Sequence, residues 1–157
     1  MKTLQYFPKR VMLLAMAPNG AVGLKGGLPW HIPAELALFK KLTMGCTLVV
    51  GHRTASTLPR LPGRCLLTVG RDSFRMPKQA IIIGGANTYE RFFSSSLEFV
   101  VSIIQDPTVV ADTYLKQDIQ SFIRMGIQDR TLLPIRRHAE FVTYATKNVR
   151  DYLMETL

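Results

Sequence analysis

The sequence is short of acids and almost without cysteine. Eleven Asp and Glu stand against 20 Lys and Arg, a formal net charge of +9 over 157 residues. A balance of that sign favours anionic partners: nucleic acid, an acidic membrane surface, or phosphorylated and carboxylated small molecules. The basic residues are scattered, however. Only Lys40-Lys41 and Arg136-Arg137 repeat one cation side by side, and no basic run is interleaved with aromatics as a nucleic-acid surface requires. Cys46 and Cys65 are the only cysteines. They match no metal-ligand spacing and are too few for a disulfide framework, so both are read as buried thiols in a reducing compartment. No apolar run approaches the ~20 residues that span a bilayer. The start, MKTLQYFPKR, lacks the apolar stretch of a signal peptide. Repeats and low-complexity tracts are missing too. The expectation is one globular domain over 1–157, soluble and cytoplasmic, with no metal and no membrane contact.

What the chain does have is a series of apolar runs without alternation. VMLLAMA (11–17), CTLVVG (46–51), CLLTVG (65–70), AIIIGG (80–85) and LEFVVSIIQ (97–105) read as strands buried on both faces. Helical stretches lie between them, at 33–44, after Gly51 and at 86–93. The pattern predicts an α/β fold, a mostly parallel central sheet flanked by helices on both faces. After Gln105 the spacing predicts a helix from Asp112 to Gly126, an antiparallel strand over 140–146 and a closing helix over 148–157 capped by Asn148.

In such a sheet ligands bind beyond the carboxyl ends of the strands. PNG, GHRT, GRDS and GGAN stand at four of those ends. GHRT offers a helix start beside His52 and Arg53, suited to a phosphate or to an ordinary strand–helix turn. Gly84 and Gly85 let backbone approach a ligand closely. Arg64, after a proline-bearing turn, suits bidentate grip of a carboxylate. Between the first strand and the first helix, residues 18–30 form a glycine-rich loop of the length that tends to be functional. It ends at Trp30, either a core anchor or a pocket wall. On the helix that follows, Ala34, Leu38, Phe39 and Leu42 make an apolar stripe, and Glu35 falls inside it. Lys40 and Lys41 point elsewhere. A carboxylate on a buried face is costly unless a cation, a donor or a ligand satisfies it. Ser102, in the fifth strand, likewise wants a partner, which Glu35 or a ligand would supply.

Taken together, LLAMAPNGAVGLKGGLPWHIPAELALFKKLT (13–43), VVGHRT (49–54), LPGRCLLTVGR (61–71), IIIGGANTYERF (81–92) and VVSI (100–103) resemble the dihydrofolate reductase family, in its order and spacing. The resemblance implies hydride transfer from NADPH to dihydrofolate, with Glu35 as the active-site carboxylate that accepts hydrogen bonds from the pteridine. Trp30 would wall the pocket and order water near it. Phe39 and Leu58 would flank the pterin and the aminobenzoyl ring, with Leu14, Ala15, Leu28, Leu61, Ile83, Tyr89 and Ser102 completing the substrate pocket. Arg64 matches the arginine that holds the substrate's α-carboxylate. On the cofactor side Ala15, Ala21 and Val22 would lie near the nicotinamide. His52, Arg53, Thr54 and Arg71 match the phosphate contacts, the 2′-phosphate included. Gly51, Val69, Ile83, Gly84, Gly85, Ala86, Asn87, Thr88 and Tyr89 would line the rest.

The sequence departs from the family in three places. Only nine residues, Asp72 to Ala80, separate the LPGRCLLTVGR run from IIIGG, which trims the adenine side. His52 and Ala55 stand where many members carry a cation and an aromatic. From about residue 116 the chain does not follow the family's closing strands. The leading expectation is a monomeric dihydrofolate reductase that also takes antifolate-like small molecules and no nucleic acid. A related pterin or pyrimidine reductase and a non-enzymatic binding module are the alternatives.

Overall fold

A computed structural model describes residues 1–70, 74–96 and 98–155. Its frame is a seven-stranded sheet built from β1 (Val11–Met16), β3 (Thr47–Gly51), β4 (Cys65–Val69), β5 (Ile81–Gly84), β6 (Glu98–Ile104), β8 (Leu132–Arg137) and β9 (Phe141–Thr146), in the order β4-β3-β5-β1-β6-β9-β8. β4, β3, β5, β1 and β6 run parallel. β9 is antiparallel to β6, and β8 to β9. The sheet is mostly parallel, as expected.

Alternation along each strand sorts its side chains into two cores. Val11 and Leu13 of β1 join Leu48, Val100 and Ile104 on one face. Met12, Leu14 and Met16 join Val49, Phe99 and Val101 on the other. Successive strand residues point to opposite faces, so both faces need cover. α1 (Pro33–Thr43) and α5 (Lys147–Met154) supply it on the first, through Leu38, Leu42, Val149 and Leu153. α3 (Ala86–Phe92) and α4 (Gln117–Asp129) supply it on the second, through Tyr89, Ile119 and Ile123. The short α2 (His52–Thr57) follows β3 directly.

The structure departs from the expectations at five points. The predicted loop 18–30 contains β2 (Ala21–Gly23), which pairs antiparallel with β7 (Thr113–Tyr114). That pairing draws residues 112–114 out of the predicted helix, and α4 begins at Gln117 instead of Asp112. β8 was not expected, because Pro134 and the Arg136-Arg137 pair interrupt its pattern. It is an edge strand, where proline is tolerated, and the register shifts between Pro134 and Arg136. Asn148 does not cap α5, which starts one residue earlier; its amide donates to the buried Glu98 carboxylate at 3.3 Å. Finally, only Cys46 is buried. Cys65 opens β4, the other edge of the sheet, and is exposed. A maleimide applied to the native protein is therefore expected to add once, at Cys65, and twice after denaturation. Mass spectrometry of the digested adducts reads both outcomes.

Candidate active site

The five parallel strands end on one edge of the sheet, and there a cavity of about 830 Å³ opens between α1, α2 and the start of α3. β1 contributes Leu14 and Ala15 to its wall, β5 Ile83 and Gly84, and β6 Ser102. α1 adds Glu35 and Phe39; Leu58, Leu61 and Arg64 come from the turn after α2.

Glu35 sits in the first turn of α1. Pro33 starts that helix at a position where its missing N–H costs nothing. Packing of Leu38 and Leu42 against the sheet then rotates Glu35 inward, leaving it 9% exposed. Among the described residues its carboxylate has no hydrogen-bond donor and no ion-pair partner. Burial pushes its pKa from the ordinary 4.5 up to about 7. Tyr89, also buried, donates its hydroxyl to the Leu13 carbonyl at 2.8 Å. Desolvation and the nearby Glu35 charge both raise its pKa, so the phenol stays protonated. The Trp30 indole N–H is buried and meets no acceptor among the described residues.

Arg64 is held before anything binds. Its Nε donates to the Pro62 carbonyl at 3.1 Å and its Nη1 to Thr43 Oγ1 at 3.3 Å, while Thr43 donates to the Phe39 carbonyl at 2.7 Å. The guanidinium is thus tied to α1, the helix that bears Glu35. At the other end of the cavity α2 and α3 interlock through their first turns. A Cβ at Gly51 would stand 2.5 Å from Thr88 Oγ1, and one at Gly85 2.7 Å from Thr54 Oγ1. Gly84 takes φ +128°, and the Gly84–Gly85 peptide is cis. Only glycine lets these two strand ends close on each other.

Past β2 the loop over the cavity is held by Thr57 and Asp112. Thr57 Oγ1 donates to the Gly26 carbonyl at 2.9 Å. Asp112 Oδ2 accepts from the Lys25 N–H at 2.9 Å, and the Asp112 N–H donates to the Gly23 carbonyl at 3.0 Å.

Most of the residues singled out in the sequence come together on this cavity. Leu14, Ala15, Val22, Leu28, Glu35, Phe39, Gly51, His52, Arg53, Thr54, Leu58, Leu61 and Arg64 line it, as do Ile83 through Tyr89 and Ser102. Trp30, Ala21 and Val69 do not. Trp30 packs against both the α1-side core and the small cluster of Ala17, Ala21 and Val109. Ala21 is enclosed in that cluster because its pairing with Tyr114 turns it inward. Val69, on the edge strand, packs into the α3-side core. Arg71 lies outside the described residues. Ser102 has its own partner: its hydroxyl shares a 2.7 Å hydrogen bond with Thr143 of β9, not with Glu35. Lys40 was read as pointing away, yet it stands at the rim. Leu36, Thr57 and Thr113 also reach the cavity and were missed. The glycine-rich run at 18–30 was the sequence sign that chain would fold over this place.

Comparison with known proteins agrees with this geometry. The family model for dihydrofolate reductase matches residues 10–78. Dihydrofolate reductase of Mycobacterium leprae (strain TN) is 38% identical over 77 residues, 46% of this chain and 47% of that one. The alignment therefore spans about half the length of that relative. Dihydrofolate reductase type 8 of Escherichia coli is 29% identical over 146 residues, 89% of this chain and 83% of that protein. A solved dihydrofolate reductase from Enterococcus faecalis, complexed with NADP(H) and RAB-propyl, shares the fold with a TM-score of 0.63 at 19% identity, over 89% of this chain and 97% of that one. The family model for dihydrofolate reductase covers the stretch that carries Glu35, Arg53 and Arg64, and the type 8 alignment covers most of the chain; over these stretches the chain is similar to dihydrofolate reductases.

Proposed function

We propose that the protein is an NADPH-dependent reductase that converts 7,8-dihydrofolate to 5,6,7,8-tetrahydrofolate. The observation that carries this reading is Glu35, a buried carboxyl with no donor among the described residues, set in the wall of a cavity large enough for a pterin beside a nicotinamide. Its partner is then the ligand: the 2-amino and ring N–H groups of the pteridine donate to it. Once its own proton has passed through water to N5, the carboxylate left behind holds these donors about twice as strongly as a neutral acceptor would.

The remaining residues fit the same ligands. Phe39 and Leu58 offer apolar faces to the pterin and the aminobenzoyl ring. Arg64, already fixed by Thr43 and Pro62, presents a guanidinium to the α-carboxylate with little ordering left to do. His52 and Arg53 stand beside the glycine-closed strand ends, where the cofactor's phosphates fit. From Leu36 to Gly70 the chain has five Lys or Arg and no acid, a field that draws anionic ligands toward the mouth.

When bound, the nicotinamide supplies the hydride that reaches C6 of the pteridine. The chain's own task is to orient and to handle the proton that reaches N5. Glu35 fixes the ring, and a water within its field delivers the proton. The loop 18–30 excludes bulk solvent while this happens. The same reading takes the protein to be a cytoplasmic monomer; among the described residues no helix is long and apolar enough to cross a membrane.

The first test is loss of reduced-nicotinamide absorbance on mixing with dihydrofolate, with NADPH faster than NADH. Folded protein with no turnover would refute the reading. Glu35→Gln is expected to lower kcat/KM by about a hundredfold or more. In the parent enzyme kcat/KM should fall as pH rises through about 7, where Glu35 loses its proton; the variant should lack that ionisation. The stability effect runs the other way. The folded state holds this proton to higher pH than the unfolded chain does, so ionisation between 4.5 and about 7 weakens the fold. Glu35→Gln should therefore raise the melting temperature at pH 8 and leave it nearly unchanged at pH 4.5. Arg64→Gln is expected to raise KM for dihydrofolate about tenfold or more, while the KM for NADPH stays within about twofold.

A further inference from the structure

The amphipathic helix α4 does more than cover the sheet. Its buried face carries Ile119 and Ile123 into the core, and Gly126 packs against Leu132. On the same side it carries a buried amide, Gln120. Gln120 Nε2 donates to the Leu115 carbonyl at 2.7 Å. Its Oε1 accepts from Arg124 Nη2 at 2.9 Å, one helical turn on, and the same Nη2 donates to the Pro18 carbonyl at 2.7 Å. The Leu115 N–H in turn donates to the Gly20 carbonyl at 3.0 Å.

Pro18 and Gly20 belong to the tight turn where the cavity loop leaves β1. There the Gly20 N–H donates to the Ala17 carbonyl at 2.8 Å and the Ala17 N–H to the Ala21 carbonyl at 3.0 Å. Gly20 takes φ +86° and lies so close to the Gln120 amide that a Cβ would overlap it. The turn is thus tied to α4 directly by the Arg124–Pro18 hydrogen bond, indirectly through Leu115, which Gln120 holds and which donates to Gly20, and by one close packing contact. Val22 and Gly23, which line the cavity, are the next residues along the chain.

We propose that Gln120 and Arg124 are positioning residues for the cavity loop: they fix its first turn, and so set how much of the time β2 stays paired with β7 and the loop stays over the cavity. Neither side chain lines the cavity, so the effect passes through the loop. The kinetic part of this inference rests on the proposed reductase activity; the conformational part does not. Arg124 is exposed and stands on the solvent edge of a helix, so Arg124→Ala leaves the core of α4 intact.

The first readout needs no ligand. Lys25 is exposed at the tip of the loop, and tryptic cleavage after it reports loop opening. In Arg124→Ala that cleavage is expected to speed up about tenfold, the effect of losing a charge-assisted hydrogen bond on the open population. Because one nitrogen makes both contacts, Arg124→Lys should restore most of the protection. Acrylamide quenching of Trp30, the only tryptophan and the other end of the loop, should rise in the alanine variant and fall back in the lysine one. In turnover, the KM for NADPH should rise about tenfold in Arg124→Ala while kcat changes by less than about threefold. Unchanged cleavage and quenching in Arg124→Ala would overturn the proposal. So would a change in cleavage matched by an equal drop in melting temperature, which means general unfolding, or a lysine variant that behaves like alanine. If the parent protein does not reduce dihydrofolate, the reductase reading falls, and cleavage and quenching still decide the role of α4.

Discussion

The structure depends on the burial of β1 between β5 and β6. All three strands are parallel, and β1 is covered on both faces by apolar side chains. Parallel neighbours cannot be joined by a tight turn, so the chain must cross over, and α1, α2 and α3 lie on the crossovers that lead to β3, β4 and β6. The same constraint collects the carboxyl ends of β1, β3, β5 and β6 on one edge. Backbone groups there have run out of sheet partners, and the loops that follow have nothing beneath them but each other. The cavity is the space left at that edge, and its position follows from strand direction before any side chain is considered.

Within that space the fold tolerates an arrangement it would otherwise exclude. α1 cannot bury Leu38 and Leu42 without turning Glu35 inward as well, because the three lie on one side of the helix. The cost appears as a carboxyl that keeps its proton up to about pH 7. Elsewhere buried polar groups are matched internally. Glu98 accepts from Thr146 at 2.7 Å and from Asn148, and Ser102 pairs with Thr143. The contrast separates a carboxylate that serves the fold from one that leaves its valence open for a ligand. Trp30, packed behind the cavity, is the other buried group without a partner among the described residues.

The closing third of the chain was poorly legible for an identifiable reason. β8 carries a proline and two arginines because it is an edge, and edge strands need neither alternation nor purity. β2 and β7 are three and two residues long, too short to show a period. Asp112 looks like the start of a helix in sequence. It is instead the residue that ties the cavity loop down, and nothing local marks it for that role.

The parallel sheet, the α1 stripe with Glu35 inside it, and the glycines at the strand ends are legible in the chain before it folds. These are local signals: a run of apolar residues, a 100° periodicity, a residue without Cβ. Tertiary structure alone decided that Ser102 would pair with Thr143, that Trp30 and Ala21 would pack behind the cavity instead of lining it, and that Cys65 would be exposed. It also joined α4 to the loop at 17–20, across about a hundred residues. Each of those outcomes depends on which segment arrives next to which, and a hydrogen bond between residues that far apart leaves no trace in the spacing of either one.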